Sequence, residues 1–151
     1  MVKMDSLDEQ LIGLLLEQKH RSSEALAEQL GVSPVTARRR MKKLIQSGVL
    51  LMGALVDPMK LGFRVIVVIS FNILPGKSEL IQEMLTCKPE IVSIFMTTGR
   101  FDIIAVARFR STDELSDFVQ KDLATVEGII STETAIVLKV TKGNYIRIYL
   151  D

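Results

Sequence analysis

Apolar residues recur at helical spacing in three stretches of the first 50 residues. In the first stretch, leucines at 7, 11, 14 and 15 form one stripe behind an N-cap at Asp5. Gly31 ends the second stretch, and Ser33-Pro34 opens the third with a capping serine and a proline at the first helical position. The third stretch stops at Gly48. The pattern predicts three helices, at 5–17, 22–30 and 34–47.

The rest of the chain mixes period-two and helical patterns. Apolar and polar residues alternate over 101–109, as they do in a half-buried strand. Ser111-Thr112-Asp113-Glu114 is a capping box before a helix. The predicted strands are 49–56, 63–73, 91–97, 101–109 and 129–139, with 144–150 as one more; a further helix is predicted at 77–87.

From residue 63 these elements follow the order βαββαβ, which is the ferredoxin-like arrangement. The predicted fold class is α+β, with a helix-turn-helix domain at 1–50, a strand and linker at 51–62, and a ferredoxin-like domain at 63–151. Two helices cover one face of such a sheet and leave the other uncovered. We therefore expect at least a homodimer, built through residues 63–73 and 91–109.

Composition narrows the class of protein. The chain has 151 residues, 48% of them hydrophobic and 25% charged, as in a soluble globular protein. Its longest purely apolar run, residues 65–69, is far short of the roughly 20 residues that span a bilayer. One cysteine and one histidine make neither an internal disulfide nor a zinc site within one chain. We expect a cytoplasmic protein without a cofactor, one that does not contact a membrane.

A block of positive charge lies on the third helix, although the net charge of the whole chain is only +1. No acid occurs between Glu28 and Asp57, and this gap holds five basic residues. A solvated helix face is the alternative explanation. Two short helices joined by a glycine turn, with arginines near the start of the second, nevertheless form the helix-turn-helix pattern. Double-stranded DNA is therefore the expected partner.

The predicted DNA-binding residues divide by their chemistry. Arginines 38 and 39 are expected near bases, because arginine can donate two hydrogen bonds to guanine, whereas the lysines suit phosphates. Arg40 either contacts phosphate or braces the edge of the core. The full predicted set is Arg21, Ser22, Ser33, Val35, Thr36, Arg38, Arg39, Lys42 and Lys43.

Motifs in this order and spacing resemble the Lrp/AsnC family of leucine-responsive, or feast/famine, transcription regulators. The resemblance covers almost the whole chain. It rests on Met4-Asp5-x-x-Asp8, Gly31-Val32-Ser33, Arg40-Met41, Gly48-Val49-Leu50, Val56-Asp57-Pro58, Thr98-Gly99-x-x-Asp102 and Ser131-Thr132-x-Thr134.

The resemblance implies a winged-helix-type DNA-binding domain and an effector domain for small molecules, commonly amino acids. It also implies dimers through the sheets, often assembled into octamers, with the ligand between neighbouring dimers. The effector residues expected on this basis are Gly99, Arg100, Asp102, Thr132 and Thr134. Turn geometry is the alternative explanation for Gly99 and Asp102, and strand propensity for the threonines.

Two other functions fit the same architecture. One is a siroheme-decarboxylase-like enzyme, and the other is an effector-binding subunit without DNA binding. No histidine follows His20, the basic helix is intact, and the sequence has no nucleophile–base pair or phosphate loop. We therefore expect a regulator and not an enzyme.

Overall fold

The computed structural model describes residues 3–17, 22–51 and 56–141. The chain divides between residues 53 and 54 into two compact units. The first unit holds α1 (Ser6–Glu17), α2 (Ser23–Leu30) and α3 (Pro34–Gln46). No helix within the described ranges is long and apolar enough to cross a membrane.

Serine caps and the predicted apolar stripes build the three-helix unit. The hydroxyls of Ser22 and Ser33 each accept a hydrogen bond at 3.2 Å from the backbone three residues on. Gly31, at φ 64°, turns the chain between α2 and α3. One leucine from each helix is fully or almost fully buried in the shared core: Leu11, Leu26 and Leu44.

The second unit is an antiparallel sheet with helices on one face. Its strand order is β2-β3-β1-β4, and the predicted βαββαβ order is confirmed. The elements are a 3-10 helix (Pro58–Leu61), β1 (Val65–Ile73), α4 (Ser78–Thr86), β2 (Ile91–Met96), β3 (Ile103–Phe109), α5 (Thr112–Asp117), which continues as a π-helix (Phe118–Leu123), and β4 (Ile129–Ile136).

Alternate residues of the central strands form the core. From Val67 to Ile73 on β1 and from Ile103 to Phe109 on β3, every second side chain is buried. These residues pack against Ile81 and Leu85 of α4 and against Leu115, Phe118 and Leu123. The rings of Phe109 and Phe118 lie 5.3 Å apart between centroids.

The intervening residues form the opposite face of the sheet, here called the open face. Paired positions show that Ile66, Val68, Ile104 and Val106 share this face, and each is only partly buried. Phe95 of β2, opposite Ile104, is 53% exposed. The described residues thus show the apolar face that the alternation predicted, and the homodimer stays a prediction.

One predicted strand is wrong where the structure describes it. Residues 49–51 form no strand, because the end of α3 holds them: Gly48 has φ 71°, and the Leu50 N–H donates to the Leu44 carbonyl at 3.0 Å. Further on, Asp57 accepts from the Met59 N–H at 3.0 Å and opens the 3-10 helix. Residues 52–55 lie outside the described residues.

The last strand is shorter than predicted. It ends at Ile136 and not at residue 139. The further strand predicted at 144–150 lies outside the described residues.

Candidate DNA-binding and effector sites

Arg40 of α3 braces the fold. Its Nη1 atom lies 2.7 Å from Asp5 Oδ2 and 2.7 Å from Asp8 Oδ1. Asp8 is fully buried, and Lys43 Nζ approaches its other oxygen at 3.4 Å. Of the two roles considered for Arg40, these contacts favour the structural one, because they join α3 to the start of α1.

The two aspartates also cap α1. The Asp8 N–H donates to Asp5 Oδ1 at 2.9 Å, and the Asp5 N–H donates to Asp8 Oδ2 at 3.4 Å. Hydrogen bonds from Arg40 hold the pKa of both carboxyls below the ordinary value of 3.8. The two acids at the start of the chain are therefore ionised partners of a cation on α3.

Arg38 has an acidic partner on α2. Its Nη2 atom donates to Glu24 Oε1, and both side chains are more than half exposed. Backbone hydrogen bonding at Glu24, followed by the bonds from Arg38 and Ser22, lowers the pKa of the Glu24 carboxyl. Glu24, which sequence reasoning did not include in the site, therefore holds a predicted base reader at the protein surface.

Arg39 and Lys42 are the basic residues of α3 that make no ion pair with any described residue, and both are exposed. Val35, which is 73% exposed, lies on the same outer side of the helix. No acid occurs in the first turn of α3, whose dipole also favours anions there. This acid-free surface of α3 is the candidate DNA interface.

The other predicted DNA-binding residues lie around it. Ser33 caps α3, and its hydroxyl is 2.9 Å from that of Thr36, while Ser22 caps α2. Lys43 Nζ lies 3.4 Å from Asp8 Oδ2, and the Lys43 side chain is nevertheless 54% exposed. Arg21 lies outside the described residues.

The predicted effector residues surround the β2–β3 turn. Gly99 has φ 110°, a backbone conformation that residues other than glycine rarely adopt. Asp102 accepts a hydrogen bond from the Ile73 N–H at 2.9 Å and donates its own N–H to the Phe71 carbonyl at 2.9 Å. These contacts fit the turn-geometry explanation of both residues and fasten the turn to the end of β1.

Arg100 links the turn to β4. Its Nη2 atom donates to Glu133 Oε2 at 3.1 Å, and its guanidinium lies 4.9 Å from the Phe101 ring centroid. Glu133 falls between Thr132 and Thr134 and, opposite Ser70, belongs to the open face. The two threonines are paired with buried core positions and share the helix-covered side. The structure thus joins Arg100 to β4 through an acid that sequence reasoning missed.

Family models match both units of the chain. Residues 4–45 match the AsnC-type helix-turn-helix domain, and residues 66–146 match the Lrp/AsnC ligand binding domain. The chain belongs to the Lrp/AsnC family. It is a DNA-binding transcriptional regulator with a ligand-binding domain, as the resemblance of its motifs implied.

Relatives of this Lrp/AsnC protein match over nearly its whole length. An uncharacterised HTH-type transcriptional regulator of Pyrococcus furiosus is 34% identical over 97% of this chain and 99% of its own. The solved structure of E. coli AsnC is 28% identical, with a TM-score of 0.86, over 96% of this chain and 99% of that one.

A third relative was solved with a ligand. A Neisseria meningitidis transcriptional regulator in complex with L-Met is 26% identical, with a TM-score of 0.87, over 97% of both chains. The Pyrococcus and Neisseria relatives are named as transcriptional regulators, which favours regulation over the enzyme alternative for the present chain.

Replacing Arg40 by Ala is expected to destabilise the three-helix unit, because it removes the main partner of a buried carboxylate. Arg39→Ala is the matched control and is expected to change the free energy of unfolding by less than about 0.5 kcal/mol. Urea unfolding followed by circular dichroism measures both. Equal stability of the two variants would contradict the structural role of Arg40.

Acid is expected to weaken the same contact. The folded-state pKa values of Asp5 and Asp8 lie below 3.8, so the folded state holds fewer protons than the unfolded chain in this range. The stabilisation is complete well above pH 3.8 and is lost as the pH falls through the folded values. The stability difference between wild type and Arg40→Ala should therefore shrink from pH 6 to about pH 3. A stability difference that stays constant over this pH range would show that the two carboxylates are not its source.

Proposed function

We propose that this regulator binds double-stranded DNA through the outer surface of α3, as a homodimer able to assemble into octamers. We propose further that a small molecule, most simply an amino acid, binds the effector domain and changes assembly and DNA affinity. The observation that carries the DNA proposal is the pair of exposed cations Arg39 and Lys42 on the acid-free surface.

Base contacts are assigned to the first half of α3. A recognition helix enters the major groove with its N-terminal residues next to base edges. This gives Arg39 and Arg38 guanine contacts, with Val35 and Thr36 beside them. The Glu24–Arg38 pair is solvated, so separating it to release Arg38 costs little.

Phosphate contacts are assigned to the flanking residues. Lysines suit phosphates as compact charges, and hydroxyls at helix starts suit them as donors. The assigned residues are Lys42, Lys43, Arg21, Ser22 and Ser33. If the protein does not bind DNA, the alternative function of an effector-binding subunit would replace this part of the proposal.

Arg39→Ala is expected to reduce the preference for specific over random DNA by about 1–3 kcal/mol, the range of a lost bidentate guanine contact. Lys42→Ala is expected to weaken binding to both DNAs alike and to lower the salt slope by roughly one unit. Fluorescence anisotropy at several salt concentrations measures both variants. Uniform losses in both variants would remove Arg39 from the base readers.

The β2–β3 turn supports the amino-acid proposal. The Gly99 amide and the Arg100 guanidinium can hold a carboxylate, and Asp102 can accept from an ammonium group. One Asp102 oxygen already bonds to Ile73, so Glu133 adds a second acceptor beside Arg100. Thr132 and Thr134 of a neighbouring subunit would complete the site. The L-Met complex of the Neisseria relative supports this ligand class.

An amino acid that binds here is expected to raise the thermal midpoint of the wild type by stabilising the folded protein. At a hundredfold over its dissociation constant it adds about 2.7 kcal/mol. Thermal unfolding against a panel of amino acids identifies it, and calorimetry then gives its affinity for each variant. Arg100→Ala should lose that affinity, whereas Arg64→Ala, an exposed arginine outside the turn, should keep it. Unchanged affinity in Arg100→Ala would move the site elsewhere.

A further inference from the structure

Two arginines of α3 pair with acids, and the two pairs differ in burial. Arg40 binds the fully buried Asp8 at 2.7 Å. The pair of Arg38 with Glu24 lies at the surface, where the two side chains are 59% and 58% exposed. Exposed ion pairs add little to the stability of a fold. Stability therefore does not explain why an acid lies beside an arginine to which we assign a base contact.

Local bonds fix Glu24 at the start of α2. It is the second residue of this helix, where the helix dipole favours a negative charge. Backbone hydrogen bonding at Glu24, followed by the bonds from Arg38 and Ser22, holds the pKa of the carboxyl below its ordinary value of 4.5. The carboxylate is therefore ionised at neutral pH, and it is already in place as an acceptor before any DNA arrives.

The bond to Glu24 leaves most of the Arg38 guanidinium available. The bond engages Nη2, and an arginine side chain has five N–H donors. Arg38 lies one helical turn after Val35 and one turn before Lys42, at the edge of the acid-free surface. Its other donors therefore remain available to a base edge without loss of the bond to Glu24.

An arginine paired with an acid distinguishes a base from a phosphate. A phosphate oxygen is anionic, so it competes with the Glu24 carboxylate for Arg38 and is repelled by that carboxylate. The O6 and N7 atoms of guanine are uncharged acceptors and do not meet this repulsion. Phosphate contacts dominate the binding of random DNA. The acid therefore weakens binding to random DNA more than binding to a site that offers the guanine.

We propose that Glu24 is a specificity-determining residue, which holds Arg38 for a guanine and disfavours its contact with phosphate. Glu24 contacts no base in this proposal and acts as a positioning residue through Arg38. The inference rests on the proposed role of Arg38 in DNA binding and names the acid that controls it.

The test begins with a specific site, which the full-length wild type selects from a library of random-sequence duplexes. Fluorescence anisotropy then compares the most enriched duplex with a shuffled duplex of the same composition. Glu24→Gln keeps the size of the side chain and removes its charge. We expect the preference for the selected duplex to fall about threefold, the scale of an exposed ion pair. On the shuffled duplex the salt slope should steepen by roughly one unit, because Arg38 is released to phosphate.

Glu28→Gln is the matched control. Glu28 lies one turn further along the same face of α2, is exposed, and pairs with no basic residue in the described ranges. The substitution removes the same charge and leaves the Arg38 pair in place. We expect it to change the affinities for the two duplexes by the same factor.

The effect of Glu24 must also depend on Arg38. In an Arg38→Ala background, Glu24→Gln is expected to leave the preference unchanged, because the side chain that Glu24 holds is absent. A second selection with the single variant Glu24→Gln should relax the requirement at the guanine that Arg38→Ala also loses, and should keep the other positions. A general loss of folding would not produce this pattern.

The outcomes separate this inference from the function on which it rests. If the wild type enriches no sequence, or if Arg38→Ala keeps the full preference, the DNA contact assigned to Arg38 and the inference both fail. If Arg38→Ala lowers the preference while Glu24→Gln behaves like Glu28→Gln, the inference alone is overturned. A loss of preference that is confined to Glu24→Gln and disappears in the Arg38→Ala background supports it.

Discussion

A strand presents successive side chains to opposite faces, and two helices in this fold can cover only one of them. This constraint determines which strand side chains of the second unit are buried and which stay exposed. The covered face takes the buried side of β1 and β3 and closes around Phe109 and Phe118. The uncovered face keeps Val68 and its neighbours partly exposed. A contiguous exposed apolar face of this kind marks an interaction surface, and this links the fold to the proposed assembly.

A similar geometric constraint governs α3, which packs against the core, braces α1 and carries the proposed DNA contacts. At about 100° per residue, Ala37 and Leu44 point to the core, while Arg39 and Lys42 point roughly away from it. Arg40 falls about 60° from the core direction, which places it beside buried Asp8. Consecutive basic residues in the sequence therefore have different roles, because rotation around the helix gives each a different environment.

Local signals account for what the sequence predicted well. The serine caps, the glycine turns and the two hydrophobic periods lie within a few residues of what they determine, so the helices and the sheet order could be predicted. The strand expected at 49–56 was wrong at its start because the Leu50 N–H donates to the Leu44 carbonyl. The apolar residues in this stretch resemble a strand in sequence, and that pattern does not reveal the hydrogen bond.

Contacts between residues that are distant in the sequence account for the ion-pair partners that were not predicted. Glu24 meets Arg38 from 14 residues away and Glu133 meets Arg100 from 33 residues away, and neither pairing leaves a mark in the linear pattern. The site-residue predictions therefore named residues of α3 and of the β2–β3 turn without the acids that contact Arg38 and Arg100.

Glu133 connects the two events proposed for the second unit. It binds Arg100, the residue assigned to an effector carboxylate, and it lies on the face assigned to a second copy. A ligand carboxylate that draws Arg100 away would leave the Glu133 carboxylate unpaired on that face and so weaken its packing against a second copy. A ligand ammonium group on Glu133 would do the opposite. The sign of the coupling thus depends on which end of the amino acid faces Arg100. By linkage, assembly must change ligand affinity by the same factor as the ligand changes assembly.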